Sequence, residues 1–291
     1  MSQDALYFIH MTDTHIKAPG EKNFLNLDMT ARLRAVFAHV KTLSLRPAFF
    51  VISGDLTHEG DMADYRHLRA VLDEEIAPFN APVFVALGNH DHRGPFREGY
   101  LGDTPEETAY YFEETISGLR LIVLDTEISS EGEKVEGRLD AEQLAWLKSV
   151  LATPAVRGTI LVLHHPALPN ALRLLDDHLL TNPDDLAEVI HDTDVIGLLS
   201  GHIHFSSVGS FHGITSAALA AVAFNLDPTT PTSMRFLDNS GFNLVMVRDQ
   251  HMIVQPMLLP GEHREVFRWE VGSSLQHVGE QQATLPDEMQ A

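Results

Sequence analysis

The chain contains no cysteine. Disulfides and thiolate metal sites are therefore excluded, and any metal must be held by histidine, carboxylate or amide groups. Basic residues are few: 20 Lys and Arg stand against 41 Asp and Glu, a formal net charge of −21. So acidic a surface repels polyanions, and a nucleic-acid duplex is not an expected partner. No apolar run reaches the roughly 20 residues that span a bilayer. The N-terminus lacks the basic-then-apolar pattern of a secretory signal. A cytoplasmic protein with no membrane partner is the expectation, and the absence of cysteine agrees with it. No Gly-x-Ser-x-Gly elbow is present, which removes the usual serine-hydrolase arrangement, and there is no internal repeat.

What is present is an alternation of strand-like and helix-like segments. Short runs rich in Val, Ile, Leu and Phe at 6–11, 49–52, 83–87, 160–163 and 195–199 read as buried strands. Helical spacing runs over 27–45, with Leu33, Val36, Phe37 and Val40 on one face and Pro47 beyond its end. Further helices are expected over 61–76, with Asp61 as cap, over 140–151, and over 184–190, with Pro183 in its first turn. Strands at 110–112 and 119–124 are joined by a polar turn, and those at 205–211, 214–217, 241–247 and 252–257 follow with little helix between them. The fold expected is α/β: a four-layer αββα sandwich of two mixed sheets flanked by helices, the second sheet completed by the C-terminal strands. One domain is assigned to 1–262 and a polar, partly mobile tail to 263–291. The stretches 93–107 and 220–239 read as elaborations, either surface loops or borders of a site.

Each of the five main strand-like runs is followed by a short polar cluster: Asp13-Thr14-His15, Gly54-Asp55, Gly88-Asn89-His90-Asp91, His164-His165 and Gly201-His202-Ile203-His204. Ligands in open α/β sheets bind beyond the carboxyl ends of the strands, so the clusters can converge on one edge. Alone, each is weak. With 17 histidines in the chain, a single one is more readily a surface or core residue than a ligand, and Gly-Asp is most often a turn. Together they offer the hard and borderline donors that two divalent ions need. Asp13 and His15 share a face if the segment is extended, as do His202 and His204. Gly54, Gly88 and Gly201 allow a sharp turn after each strand.

These clusters, with Gly54-Asp55-Leu56-Thr57, the stretch from Gly137 to Leu147 and His164-His165-Pro166, resemble the calcineurin-like metallophosphoesterases. Within that superfamily the chain is most similar to the bacterial class III cyclic-nucleotide phosphodiesterases and the glycerophosphodiesterase-like enzymes. The resemblance implies a dinuclear centre of two divalent or trivalent ions, Mn or Fe and sometimes Zn, at the carboxyl edge of the strands. It places Asp13, His15, Asp55 and His204 on the first ion and Asp55, Asn89, His164 and His202 on the second, with Asp55 bridging. It further implies attack on phosphorus by a metal-bridging hydroxide, with His90 as general acid held in place by Asp91. Asn89, His90 and His92 are the candidate substrate contacts; Lys17, Asn26 and Arg93 are further ones. His165 is expected to point to the opposite face of its segment, and Thr57 and His58 to shape a loop.

The function expected is hydrolysis of a small phosphodiester, a 3′,5′-cyclic nucleotide or a glycerophosphodiester. A phosphomonoesterase or protein phosphatase would use the same centre and differ only in the pocket walls. A nuclease is disfavoured by the charge, and a scaffold that has lost catalysis by retention of every predicted ligand and His90. A homo-oligomer is compatible with the resemblance.

Overall fold

The computed structural model describes residues 5–128, 135–171, 175–228, 232–261 and 263–270. Strand β1 (Leu6–Met11) is buried along almost its whole length. An apolar strand of this kind is stable only inside a sheet covered on both faces. It pairs in parallel with β2 (Phe50–Ser53), and β2 in parallel with β3 (Val83–Ala86). The crossovers are α1 (Met29–Thr42) and α2 (Met62–Ile76). Asp28 caps α1 by accepting a hydrogen bond from the Ala31 amide at 2.9 Å. Asp61 holds the equivalent place on α2, but its side chain makes no cap bond; its carbonyl accepts from Asp64 and Tyr65.

The second sheet is built from β4 (Phe112–Ile116), β5 (Leu119–Val123), β6 (Thr159–Val162), β7 (Val195–Ser200), β8 (Ser207–Phe211) and β9 (Ile214–Ala218), in the order β4-β5-β6-β7-β9-β8. Its central strands β5, β6, β7 and β9 run parallel. Helices α4 (Ala141–Leu151) and α5 (Pro183–Ile190) cover its outer face through Leu147 and Leu186. Helices α1 and α2 cover the first sheet through Leu33, Phe37, Leu68 and Leu72. Between the sheets, Phe8, Val51 and Val245 meet Leu121, Val162 and Leu199 in a single buried cluster. Each Leu, Val or Phe fully buried there contributes about 1.5–3 kcal/mol. The result is the expected four-layer αββα sandwich.

Three features depart from expectation. The late strands β12 (Gly241–Arg248) and β13 (His251–Leu258) do not complete the second sheet; β12 returns antiparallel to β1 and β13 antiparallel to β12, giving the first sheet the order β13-β12-β1-β2-β3. Strand periodicity fixes which face is buried but not which partner is taken. The stretch read as an elaboration at 220–239 supplies β10 (Asn225–Asp227) and β11 (Ser233–Asp238). These pair with β14 (Arg264–Glu270) in a three-stranded sheet, which puts 264–270 with the fold rather than the tail. The rest of the tail, 271–291, lies outside the described residues. Finally, 93–101 is helical: α3 (Arg93–Phe96) runs into a π-turn at Arg97–Leu101, with Phe96 and Tyr100 buried. No described helix is long and apolar enough to cross a membrane.

Candidate metal centre

Strands β1, β2, β3, β6 and β7 end at one edge, and the polar clusters occupy the loops that leave it. The backbone there is not extended. Asp13, His15, Asp55, His202 and His204 have φ of 51°, 44°, 48°, 70° and 53°. Residues with a β-carbon avoid this left-handed region, at a cost of about 1–3 kcal/mol each, and persist in it only where surrounding structure over-determines them. Here it does. The Asp13 amide donates to the Gly54 carbonyl and the His15 amide to that of Asp55, both at 3.0 Å. The His202 amide donates to both Asp13 carboxylate oxygens, at 3.0 and 3.2 Å. The expected shared faces of an extended segment are thus replaced by kinked loops that are zipped together. His204 turns toward Asp13, while His202 turns toward His164.

Two side-chain groups result. In the first, Asp13, His15, Asp55 and His204 bring one ligand atom each within 4.8 Å of one another, all buried. His15 Nε2 lies 3.2 Å from His204 Nε2 and 3.6 Å from Asp55 Oδ2, and His204 Nε2 lies 3.3 Å from Asp13 Oδ1. In the second, His164 Nε2 lies 3.3 Å from Asp55 Oδ1, 3.2 Å from Asn89 Oδ1 and 3.2 Å from His202 Nδ1. Asp55 turns one oxygen to each group.

The donor set fits a pair of cations. His204 Nδ1 donates to the Phe224 carbonyl and His164 Nδ1 to that of Ser53, each at 2.8 Å. With the ring protons facing outward, the inward nitrogens turn their lone pairs toward each other and toward carboxylate oxygens. Such an arrangement repels itself unless positive charge sits at its centre. The charges around each ring act in the same sense. Burial pulls the His164 imidazole down, yet the Asp55 carboxylate and its neighbours outweigh it and raise the pKa to about 9. Burial likewise opposes His204, which Asp13 raises. Burial alone would lift Asp55, but His164, His90 and His15 around it hold its carboxyl well below the usual range. His15 and His202 are driven well below the usual imidazole value, by burial first.

His90 stands beside this centre. Its ring is edge-on to His15 at 4.8 Å and stacked with His58 at 5.4 Å. Its backbone amide donates to Asp55 Oδ1 at 2.9 Å, and its Nδ1 donates to the His58 carbonyl at 2.9 Å. Asp91, expected to hold this ring, does not touch it. Its buried carboxylate accepts from the amides of Gly88, Leu56 and Thr57 and from the Tyr65 hydroxyl. Burial, then the Asp55 charge, raises its pKa to about 6. Asp91 therefore orders the loops that carry Asp55 and His90, and the hold on the ring passes to His58.

Other expectations sort similarly. His165 does not turn away: its ring lies 4.6 Å from His202, with Nδ1 2.7 Å from Thr126 Oγ1. His92 is exposed, its ring laid over the Gly60 α-carbon. Lys17 pairs with Glu59 and Glu21, and Arg93 is buried against Asp125. Asn26 is exposed with φ 59°. Gly54 takes φ 99°, as a sharp turn requires, whereas the left-handed angle is not what calls for glycine at 88 and 201. At those positions an added β-carbon would strike site side chains: Asp55 and His164 in one case, Thr12 and Asp13 in the other.

The sequence of the chain matches known proteins throughout this region. A family model described as calcineurin-like phosphoesterase matches residues 6–206. A probable cyclic nucleotide phosphodiesterase of Rhodococcus erythropolis is 35% identical over 263 residues, 88% of this chain and 84% of the relative. A cAMP/cGMP dual specificity phosphodiesterase of Mycobacterium tuberculosis is 35% identical over 241 residues, covering 82% of this chain and 75% of the relative. A glycerophosphodiester phosphodiesterase of Enterobacter lignolyticus is 24% identical over 246 residues, covering 82% and 85%. The fold is also that of a dimetal phosphatase from Danio rerio, at a TM-score of 0.56 and 16% identity over 86% of this chain and 98% of the other.

Proposed function

The chain belongs to the calcineurin-like phosphoesterase family and is a metal-dependent phosphodiester hydrolase, and from that premise we propose that it opens 3′,5′-cyclic nucleotides to nucleoside monophosphates. The observation that carries the reading is the convergence of two donor groups on a shared carboxylate, Asp55, with His90 alongside. We assign Asp13, His15, Asp55 and His204 to one ion and Asp55, Asn89, His164 and His202 to the other. A sulfur-free nitrogen and oxygen set suits Mn or Fe, and also Zn. When bound, two such cations would neutralise the phosphoryl oxygens and lower the pKa of a bound water.

The protein's own groups supply the rest. With His90 Nδ1 committed to the His58 carbonyl, Nε2 is the atom free to give a proton to the departing alkoxide. The hydrogen bond that the His90 backbone amide donates to Asp55 ties that acid to the shared carboxylate, so acid and phosphorus keep one geometry. Half-buried Phe24 stacks over His58 at 5.9 Å and meets Phe224, Phe236 and Phe267 edge-on. An aromatic cluster one ring away from the acid suits a substrate that carries a base better than one that carries glycerol. The relatives named for cyclic nucleotides are also the more similar ones.

The test is a panel on manganese-loaded protein: cAMP, cGMP, glycerophosphocholine, p-nitrophenyl phosphate and duplex DNA. The proposal expects the highest kcat/KM on a cyclic nucleotide, with a single monophosphate product. Preference for glycerophosphocholine would move the substrate, and preference for the monoester would replace the reading with a phosphomonoesterase.

A further inference from the structure

Four histidines point a nitrogen into the metal centre, and each has a second ring nitrogen facing outward. An outward N–H needs an acceptor, because that acceptor fixes the tautomer and so presents the lone pair to the metal. His164 and His204 use backbone carbonyls, Ser53 and Phe224. The other two do not. His15 Nδ1 lies 3.3 Å from Nδ1 of His58, and His202 Nε2 lies 3.3 Å from Nδ1 of His178. Each outer histidine in turn presents Nε2 to a carboxylate next to it in sequence: His58 to Glu59 at 3.9 Å, and His178 to Asp177 at 3.7 Å. The two arms come from unrelated parts of the fold, the loop after β2 and the loop between β6 and α5, and one arm reaches each half of the centre.

Resting on the ligand assignment above, we propose that His58 and His178 are positioning residues, one for each metal. Each accepts a hydrogen bond at Nδ1 from a ligating histidine and thereby holds it in the tautomer that binds. The order of protons along each arm follows. His15 binds through Nε2 and carries its proton on Nδ1, which His58 accepts; His58 keeps its own proton on Nε2, toward Glu59. His202 binds through Nδ1 and carries its proton on Nε2, which His178 accepts; His178 keeps its proton on Nε2, toward Asp177. The ring planes agree with a directed contact rather than a stack: His15 and His58 meet at 67° and 5.4 Å, and His178 and His202 at 37° and 5.2 Å. His58 has a second duty, because its carbonyl holds His90. Only the side-chain duty is lost on substitution.

The experiment is a manganese titration of wild type and of His58→Ala, His58→Asn, His178→Ala and His178→Asn, read by electron paramagnetic resonance of free Mn and independent of turnover. Asparagine carries an oxygen where histidine carries Nδ1, so it can accept the same bond. Wild type should bind two ions. Each alanine variant should weaken one of the two binding steps by about 10–100-fold, the range expected when such an outer partner is lost. The step weakened should differ between positions 58 and 178, and asparagine should restore most of the affinity. Alanine variants that bind both ions as wild type, or asparagine variants as weak as alanine, would overturn the proposal. A measurement without substitution covers the case of a misfolded variant. In zinc-loaded wild type, long-range proton–nitrogen spectra should show His58 and His178 protonated at Nε2 alone; protonation at Nδ1 of either overturns the idea. If wild type binds two ions with these signatures yet cleaves no diester, the positioning role stands and the functional reading fails. If it binds fewer than two, both fall.

Discussion

Substitution of His90 by alanine separates proton delivery from metal binding. In the structure its ring donates Nδ1–H to the His58 carbonyl at 2.9 Å and packs against the His15 and His58 rings, and its backbone amide donates to Asp55. Alanine keeps that amide, so Asp55 stays where it is. The lost side-chain bond leaves the His58 carbonyl at a half-buried place that water can reach, costing about 1 kcal/mol of stability. The catalytic cost is larger. A positioned general acid contributes ~10²–10⁴-fold in rate, which converts to about 3–5 kcal/mol of barrier. It is felt only when the leaving group needs the proton. The ribose alkoxide of a cyclic nucleotide does; nitrophenolate leaves readily without it. The assay is kcat/KM of wild type and variant on cAMP and on bis(p-nitrophenyl) phosphate, with bound metal measured in parallel. The expected outcome is a loss of ~10²–10⁴-fold on the nucleotide, less than about tenfold on the aryl diester, and unchanged metal content. An equal fall on both substrates would make His90 a phosphate-positioning group, and loss of a metal would make it a ligand; either result refutes the reasoning.

Asp55→Ala should lose at least one ion and nearly all turnover while circular dichroism shows the fold retained, since its oxygens face the two donor groups and not the core; wild-type activity at wild-type metal content would contradict its bridging role. Gly88→Ala should weaken metal binding, because the new methyl would sit 2.7 Å from His164 Nε2 and against the Asp55 carboxylate; a manganese titration matching wild type would show that the loop yields freely. Glu127 offers a pH test away from the metals. Burial first, opposed by Arg93, raises its carboxyl to about 7. Its folded value thus lies above its unfolded one, so its contribution is full below about pH 4.5 and is lost as pH rises through 7. Unfolding free energy measured from pH 5 to pH 8 should fall more steeply for wild type than for Glu127→Gln, by a difference on the order of 3 kcal/mol at most; parallel curves would show that Arg93 keeps the carboxylate ionised throughout.

Much of this was legible in the sequence. The apolar runs announced β1, β2, β3, β6 and β7, and the clusters after them supply Asp13, His15, Asp55, Asn89, His164, His202 and His204, which the fold brings side by side. The helices were legible from their apolar spacing, but of their caps only Asp61 was expected, and its side chain makes no cap bond, whereas Asp28 and Asp140 do. What was hidden depends on partners distant in sequence. Nothing periodic tells β12 to join β1 rather than the second sheet, since either edge would bury the same face. Strand β14 hides among Arg and Glu residues because one of its faces is exposed. His58 and His178 were obscured for a different reason. Their meaning lies in which nitrogen of a ligand they face, and that depends on left-handed kinks at His15 and His202, which sequence spacing read as extended backbone. Asp91, which the resemblance assigned to His90, points elsewhere for a reason of its own. Its carboxylate is consumed in closing the Gly88 turn.

The central claim is that two metal ions share Asp55 at this edge. Anomalous diffraction from manganese-loaded crystals, recorded at the manganese edge, tests it without reference to any substrate. Two peaks per chain are predicted, one enclosed by Asp13, His15 and His204, the other by Asn89, His164 and His202, with the Asp55 carboxylate between them. A single peak, or peaks away from Asp55, would contradict the account.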